Sequence, residues 1–196
     1  MHPGDPTRDE ASRYVAEQLA AGKACFEAAL DFLGRGWCPV PVCPPDHVGV
    51  GREHGANCKS PGKAVLISWI EFQDRRPTRQ EVEGWWRRWP TANVCVLLGP
   101  VSGLVAIDVD GPGGEARLRE LSGGDVPATL EFATPRPGRR LLYRIPPGVT
   151  GLYKSASFKA DDGELKLMGR GAMTVMPPSR HKNGGFYAWR AAHGAD

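Results

Sequence analysis

Leu104-Val105-Ala106-Ile107-Asp108-Val109-Asp110-Gly111 is an apolar run that ends in two acids and a glycine. A short run of this kind, with β-branched residues, reads as a strand. Side chains alternate along a strand, so Asp108 and Asp110 share one face while Ile107 and Val109 share the other. Cα atoms two residues apart on a strand are separated by roughly 6.5–7 Å. Two carboxylates so placed can hold one or two divalent cations, which offset the cost of bringing like charges together. The other reading is a strand that simply ends in an Asp-Gly turn, with Asp110 there for turn chemistry. The apolar run before the acids favours a central strand that carries them to one sheet edge.

Working outward, Val94 to Leu98 reads as another strand, separated from Leu104 by a Gly-Pro-Val-Ser-Gly turn. The pair reads as a hairpin. Before it, Thr78 and Glu81 fit a capping box, and Val82, Trp85, Trp86 and Trp89 give the following helix an apolar face that Pro90 ends. Asp9 to Leu33 reads as a long helix, with Tyr14, Val15, Leu19, Phe26, Leu30 and Leu33 at spacings near 3 to 4 and Gly34 and Gly36 as the stop. Trp37 to Val42 is a short strand broken by prolines. Downstream, Glu115 to Leu121 reads as a short helix. Leu130 to Ala133, Arg140 to Ile145, Glu164 to Leu167, Met173 to Met176 and Phe186 to Arg190 read as strands. The fold class is α+β, with two N-terminal helices on a mostly antiparallel or mixed sheet. Residues 1–8 read as a loose tail, 9–190 as one domain and 191–196 as a polar C-terminal tail.

Composition narrows the class of function. The 196 residues carry 41% hydrophobic and 24% charged residues, an ordinary globular mix. No apolar run approaches the roughly 18 residues of a membrane span, and no export signal opens the chain, so a cytoplasmic protein without membrane contact is expected. Five cysteines in such a chain do not suggest a disulfide framework. The net charge of +3 is too mild to demand a polyanion. Arginines do cluster, however, at Arg75, Arg76, Arg79, Arg87 and Arg88 and again at Arg136, Arg139, Arg140 and Arg144. These are either phosphate contacts or two solvated faces.

Residues 43–63 lack periodicity, and a loop of that length asks for a reason. Cys43-x3-His47 and His54-x3-Cys58 supply four ligands suited to tetrahedral zinc, which would order a loop without a core. Ordinary histidines and buried thiols are the alternative. Cys25, Cys38 and Cys95 sit in apolar contexts and read as core. Lys63 follows a glycine turn and could reach a phosphate, although no P-loop pattern is present. Pro177-Pro178-Ser179-Arg180-His181 ends a strand, where the serine, arginine and histidine could bind phosphates. No Gly-x-Ser-x-Gly elbow supports a serine hydrolase.

The order of these pieces resembles the N-terminal domain of bifunctional DNA primase/polymerases, in the archaeo-eukaryotic primase superfamily. The resemblance runs over nearly the whole chain. It is carried by Gly36-Trp37-Cys38-Pro39-Val40-Pro41, Pro61-Gly62-Lys63, the Trp85-Trp86 helix, Ala92-Asn93-Val94 and Leu98-Gly99-Pro100-Val101-Ser102-Gly103-Leu104. It continues through Asp108-Val109-Asp110, Thr129, Thr134-Pro135, Pro177-Pro178-Ser179 and Gly184 to Trp189. It implies template-directed nucleotidyl transfer with Mg2+ or Mn2+ on Asp108 and Asp110, acting on dNTP or NTP and a single-stranded or primed DNA template. Relatives often carry this domain ahead of a helicase, and the polar tail after Trp189 fits an excised domain of that kind.

Two departures accompany the resemblance. The family's second motif places a phosphate-binding histidine where this chain reads Gly138-Arg139-Arg140-Leu141-Leu142-Tyr143, so Arg140 takes that place. A third acid is expected on a strand before Pro177, where a strict count gives Lys166. Glu164 lies two residues earlier on the same strand face and is taken as that acid, with Asp161 and Asp162 in reserve. The resemblance thus implies a metal set of Asp108, Asp110 and Glu164 and a triphosphate set of Arg140, Ser179, Arg180, His181 and Lys63. The basic helix Arg75 to Arg88 is expected along the template. A degenerate module that binds nucleotide or single-stranded DNA without catalysis is the competing expectation.

Overall fold

The computed structural model describes residues 7–146, 148–149 and 155–190. The expected C-terminal tail, and residues 1–6 of the N-terminal one, lie outside that range. Helix α1 (Arg8–Gly34) starts at a capping box in which Thr7 and Glu10 satisfy each other's backbone N–H groups. Its buried stripe is Gln18, Gly22, Cys25, Ala29 and Phe32, whereas Tyr14, Val15 and Leu19 are exposed. The inward face is therefore offset from the one its large apolar residues suggest. Small residues let the helix press close: a Cβ on Gly22 would lie 1.9 Å from the Pro90 carbonyl oxygen.

The chain then runs β1 (Cys38–Val42), α2 (Arg52–Asn57), a 3-10 turn at Glu71–Gln73 and α3 (Arg79–Arg88). Helix α3 begins at the expected Thr78/Glu81 capping box and packs Val82 and Trp86 inward. Next come β2 (Asn93–Leu97), β3 (Leu104–Asp110) and α4 (Gly111–Leu121). They are followed by β4 (Leu130–Ala133), β5 (Gly138–Arg144), β6 (Ala156–Ala160), β7 (Gly163–Met168), β8 (Met173–Val175) and β9 (Ala188–Trp189).

These strands form two sheets, ordered β1-β2-β8 and β6-β7-β3-β5-β4-β9, and every pairing is antiparallel. The expected β2–β3 hairpin does not form. The two strands belong to different sheets, joined only by the Gly99–Leu104 bridge at the turn. β2 is buried along its whole length between β1 and β8, which leaves it no free edge for β3. β3 instead pairs with β5 and β7 on its two sides.

The main core lies against β1, β2, α1 and α3 and takes in Leu104 and Ala106 from one face of β3. A smaller core of Val109, Leu118, Leu141 and Leu165 closes the other face under α4, with Ile107 packed on it. Asp108 and Asp110 therefore continue the face that begins with Leu104 and Ala106, as strand alternation requires. Among the described residues no helix is long and apolar enough to cross a membrane.

Candidate active site and metal cluster

The acid end of β3 is a grid set by backbone register. Asp108 lies between Arg140 of β5 and Lys166 of β7, and Asp110 lies between Gly138 and Glu164. Side chains opposite one another in a ladder share a face. Asp108, Asp110, Arg140, Glu164 and Lys166 therefore gather on one surface of the sheet.

Their contacts divide them. Arg140 donates from Nε to Asp108 Oδ1 at 2.9 Å, with Nη2 at 2.6 Å from the same oxygen. Its Nη1 donates to Thr174 Oγ1 at 2.7 Å, so the guanidinium bridges the two sheets. Asp110 accepts no hydrogen bond among the described residues. Burial holds its carboxyl above the usual range and the Asp108 charge adds to this, while Arg140 and Arg136 oppose the rise. The Glu164 carboxylate accepts from the Ser157 hydroxyl and lies 3.5 Å from Lys166 Nζ. The Ser157 bond is the main reason its carboxyl sits below the usual range. Asp161 and Asp162 fall in the β6–β7 turn, beyond the register that faces Asp110.

Backbones approach closely around these acids. A Cβ on Gly138 would lie 2.7 Å from Asp110 Oδ1 and 2.7 Å from the Val109 carbonyl oxygen. One on Gly163 would lie 2.2 Å from the Asp110 carbonyl oxygen, and one on Gly114 would lie 2.5 Å from that of Glu164.

Other cations and aromatics complete the surroundings. Lys63 is an exposed residue. Partial desolvation of its ammonium lowers its pKa, as do Arg140 and Arg136, against the pull of Asp108 and Asp110. Burial raises the Tyr187 phenol, which feels the same two arginines and two aspartates. His181 is buried, packs edge-on to Tyr187 and pairs through Nδ1 with Asn183 Oδ1 at 2.8 Å.

Several of the remaining phosphate candidates already have partners. The Ser179 hydroxyl is fully buried and bonds the Val94 N–H and carbonyl, each at 3.0 Å. It joins the chain after Pro178 to β2 rather than facing the acids. Arg180 pairs with Asp46 at 2.7 Å, and Tyr14 donates to the same carboxylate. Arg180 Nε is buried without a hydrogen-bond partner among the described residues. In the expected template-tracking helix, Arg75 pairs with Glu71 and Glu81, Arg79 pairs with Glu83, and Arg76 donates to the Gly36 carbonyl. The second arginine group splits by strand alternation: Arg139 faces Glu115 and Glu131, away from Arg140 and Asp108.

Thr174, Tyr187 and Asn93 escape local reading, because each meets the site through contacts distant in sequence. The Asn93 side chain donates to the carbonyls of Gly62 (3.3 Å) and Arg180 (2.8 Å) and accepts from the Arg180 N–H (3.0 Å).

The long loop behaves as its ligands suggest. Cys43, His47, His54 and Cys58 place one ligand atom each within 4.8 Å of the others, and the thiols are 3.8 Å apart. Thiolates about 2.3 Å from a tetrahedral ion would lie about 3.8 Å apart. Nε2 of His47 and of His54 is buried without a hydrogen-bond partner. Burial, aided by His47, lowers the His54 pKa and so favours the neutral imidazole that binds metal. Four residues are thus gathered that can hold a metal ion. Among the described residues this is the one group of three or more Cys, His, Asp or Glu drawn so close; Asp108, Asp110 and Glu164 are more open.

The fold and site define an α+β domain with paired acids on a central strand, a ring of cations and a separate Cys/His cluster. The family model for the bifunctional DNA primase/polymerase N-terminal domain matches residues 29–195. The chain belongs to that family. Comparison with curated proteins gives no match.

Proposed function

We propose that this domain joins nucleotides on a DNA template, with Asp108, Asp110 and Glu164 as the ligands of divalent cations. The observation that carries the reading is the β7–β3–β5 grid, which aligns the three carboxylates on one face beside Arg140, with Lys63 near enough to feel the charges of Asp108 and Asp110. The donor set suits the ions: all three are hard oxygen ligands, and Asp110 is a half-buried carboxylate without a donor among the described residues. Mg2+ or Mn2+ bound there would activate the primer 3′-hydroxyl and neutralise the triphosphate. Arg140 and Lys63 would bind and orient the phosphates of a dNTP or NTP, and the buried His181–Tyr187 pair would shape the wall beside them. The Cys/His cluster is read as structural zinc. A single-stranded or primed DNA template would be the partner, with a helicase as a further one, and the reaction would be cytoplasmic.

One observation favours a second reading. The Arg140 guanidinium already neutralises Asp108, the place a cation would otherwise take. A module that binds nucleotide or single-stranded DNA without catalysis is consistent with that internal counter-ion.

Nucleotide incorporation on a single-stranded template separates the two. The assay runs with and without primer, in Mg2+ and then Mn2+, beside an Asp108→Asn/Asp110→Asn variant. Product that disappears in the variant supports the enzyme. No product in either metal, with binding retained, supports the module.

A further inference from the structure

The turn at residues 60–63 lies between the Cys/His cluster and the acids and is anchored from both sides. On the cluster side, the Cys43 N–H donates to the Ala64 carbonyl at 2.8 Å, and the Cys43 thiol lies 3.8 Å from the Ser60 carbonyl. The N–H groups of Lys63 and Ala64 both donate to that Ser60 carbonyl at 3.0 Å. On the other side the buried Asn93 amide holds Gly62 and Arg180 together. A cleft of about 450 Å³ lined by His54, Cys58, Ser60, Lys63 and Met173 runs alongside. Met173 precedes Thr174, which accepts from the same Arg140 that pairs with Asp108. Lys63 therefore projects from a segment that meets the cluster on one side and the Asn93 amide on the other.

We propose that the Cys/His cluster is a positioning device for Lys63: an ion held by Cys43, His47, His54 and Cys58 fixes the 60–63 turn so that the ammonium meets the triphosphate of a nucleotide at Asp108 and Asp110. The inference rests on the nucleotide site proposed above. Lysine is a flexible point charge on a four-carbon stem. A contact made from a fixed turn loses less freedom on binding than one made from a loose loop. Asn93 fixes the Gly62 carbonyl and the backbone bridge at Val42–Val65 fixes the Ala64 end; the cluster's own hold is the Cys43 thiol at the Ser60 carbonyl.

The test reads nucleotide binding, without incorporation. A fluorescent nucleoside triphosphate is titrated with Mg2+ into the full chain, Cys58→Ala, Lys63→Ala and the double variant, with zinc content measured on each. Each single variant is expected to bind about tenfold more weakly, the size of one charge-assisted contact. The double variant is expected to bind no more weakly than Lys63→Ala. A double variant weaker by the product of the two losses would overturn the proposal, since the cluster would then act independently of Lys63.

Gly62→Ala moves the turn without replacing a ligand, because Gly62 has φ +82°, where other residues are strained. It decides the matter if Cys58→Ala does not fold. It should keep its metal and bind triphosphate about as weakly as Lys63→Ala; unchanged affinity with metal retained overturns the proposal. A parent chain that binds no triphosphate overturns both this inference and the nucleotide site. The expected pattern in a chain that extends no DNA supports the inference while removing the polymerase reading.

Discussion

Arg140 and Asp108 face each other across the β5–β3 ladder, and the arginine that neutralises the acid also reaches over to Thr174 in the second sheet. One guanidinium thus fastens two sheets whose strands do not otherwise pair with each other. Both partners of the ion pair are largely buried, at 11% and 15% side-chain exposure. Removing one half would leave the other uncompensated, which costs far more than the pair itself contributes.

Arg140→Ala should therefore lower unfolding stability by about 3 kcal/mol in the absence of divalent ions. Denaturant unfolding measures it. Adding Mn2+ should recover part of the loss, because the ion would take over the neutralisation of Asp108. A variant as stable as the parent would show that the pair does not hold the sheets.

Asp110 yields a pH dependence. A carboxyl raised above its unfolded value of 3.8 binds its proton more tightly in the folded chain. Stability from this group is thus greatest below 3.8 and falls as pH rises from there through the raised value. Asp110→Asn should remove that fall and make the ion-free protein more stable at pH 7. Mn2+ at tenfold over its dissociation constant should add about 1.4 kcal/mol to the parent and much less to the variant. Thermal unfolding at pH 4 and pH 7, with and without Mn2+, checks both.

Glu164 and Lys166 make opposite predictions for the third ligand. Glu164→Gln should reduce incorporation at least about a hundredfold, the scale expected when a group that stabilises transition-state charge is lost. Lys166→Ala should stay within a few-fold of the parent. The reverse order would move the third acid away from β7.

Metal analysis of chain purified without chelator should give one zinc per molecule, and Cys43→Ser/Cys58→Ser should give none. Loss of the ion should lower the thermal midpoint, because metal affinity is folding free energy for a loop with little core of its own.

Much of this was open to reading in the chain itself. The Thr78 capping box is local chemistry, and the shared face of Asp108 and Asp110 follows from strand alternation. The Cys/His spacing brought four ligands together as expected. The β2–β3 hairpin failed because a five-residue Gly-flanked turn looks the same whether the chain doubles back or changes sheet. β6 went unseen because Ala156-Ser157-Phe158-Lys159-Ala160, although it alternates, carries one large apolar residue and is exposed throughout, too weak a pattern to stand out. The fate of Ser179 and Arg180 turned on Val94 and Asp46, 85 and 134 residues away. Such long-range partners leave no local pattern.

The close approaches at Gly138, Gly163 and Gly114 bear on how this site would look to a geneticist. Each glycine leaves room that a neighbouring acid-bearing strand fills, so even a methyl group there displaces Asp110, or the strand carrying Glu164. In a saturation map of tolerated substitutions these three positions would score as intolerant as the acids, although none carries a functional group. A search for catalytic residues by loss of activity alone would draw the site too large. Ion binding and folding measured side by side would separate the residues that do chemistry from those that only keep space.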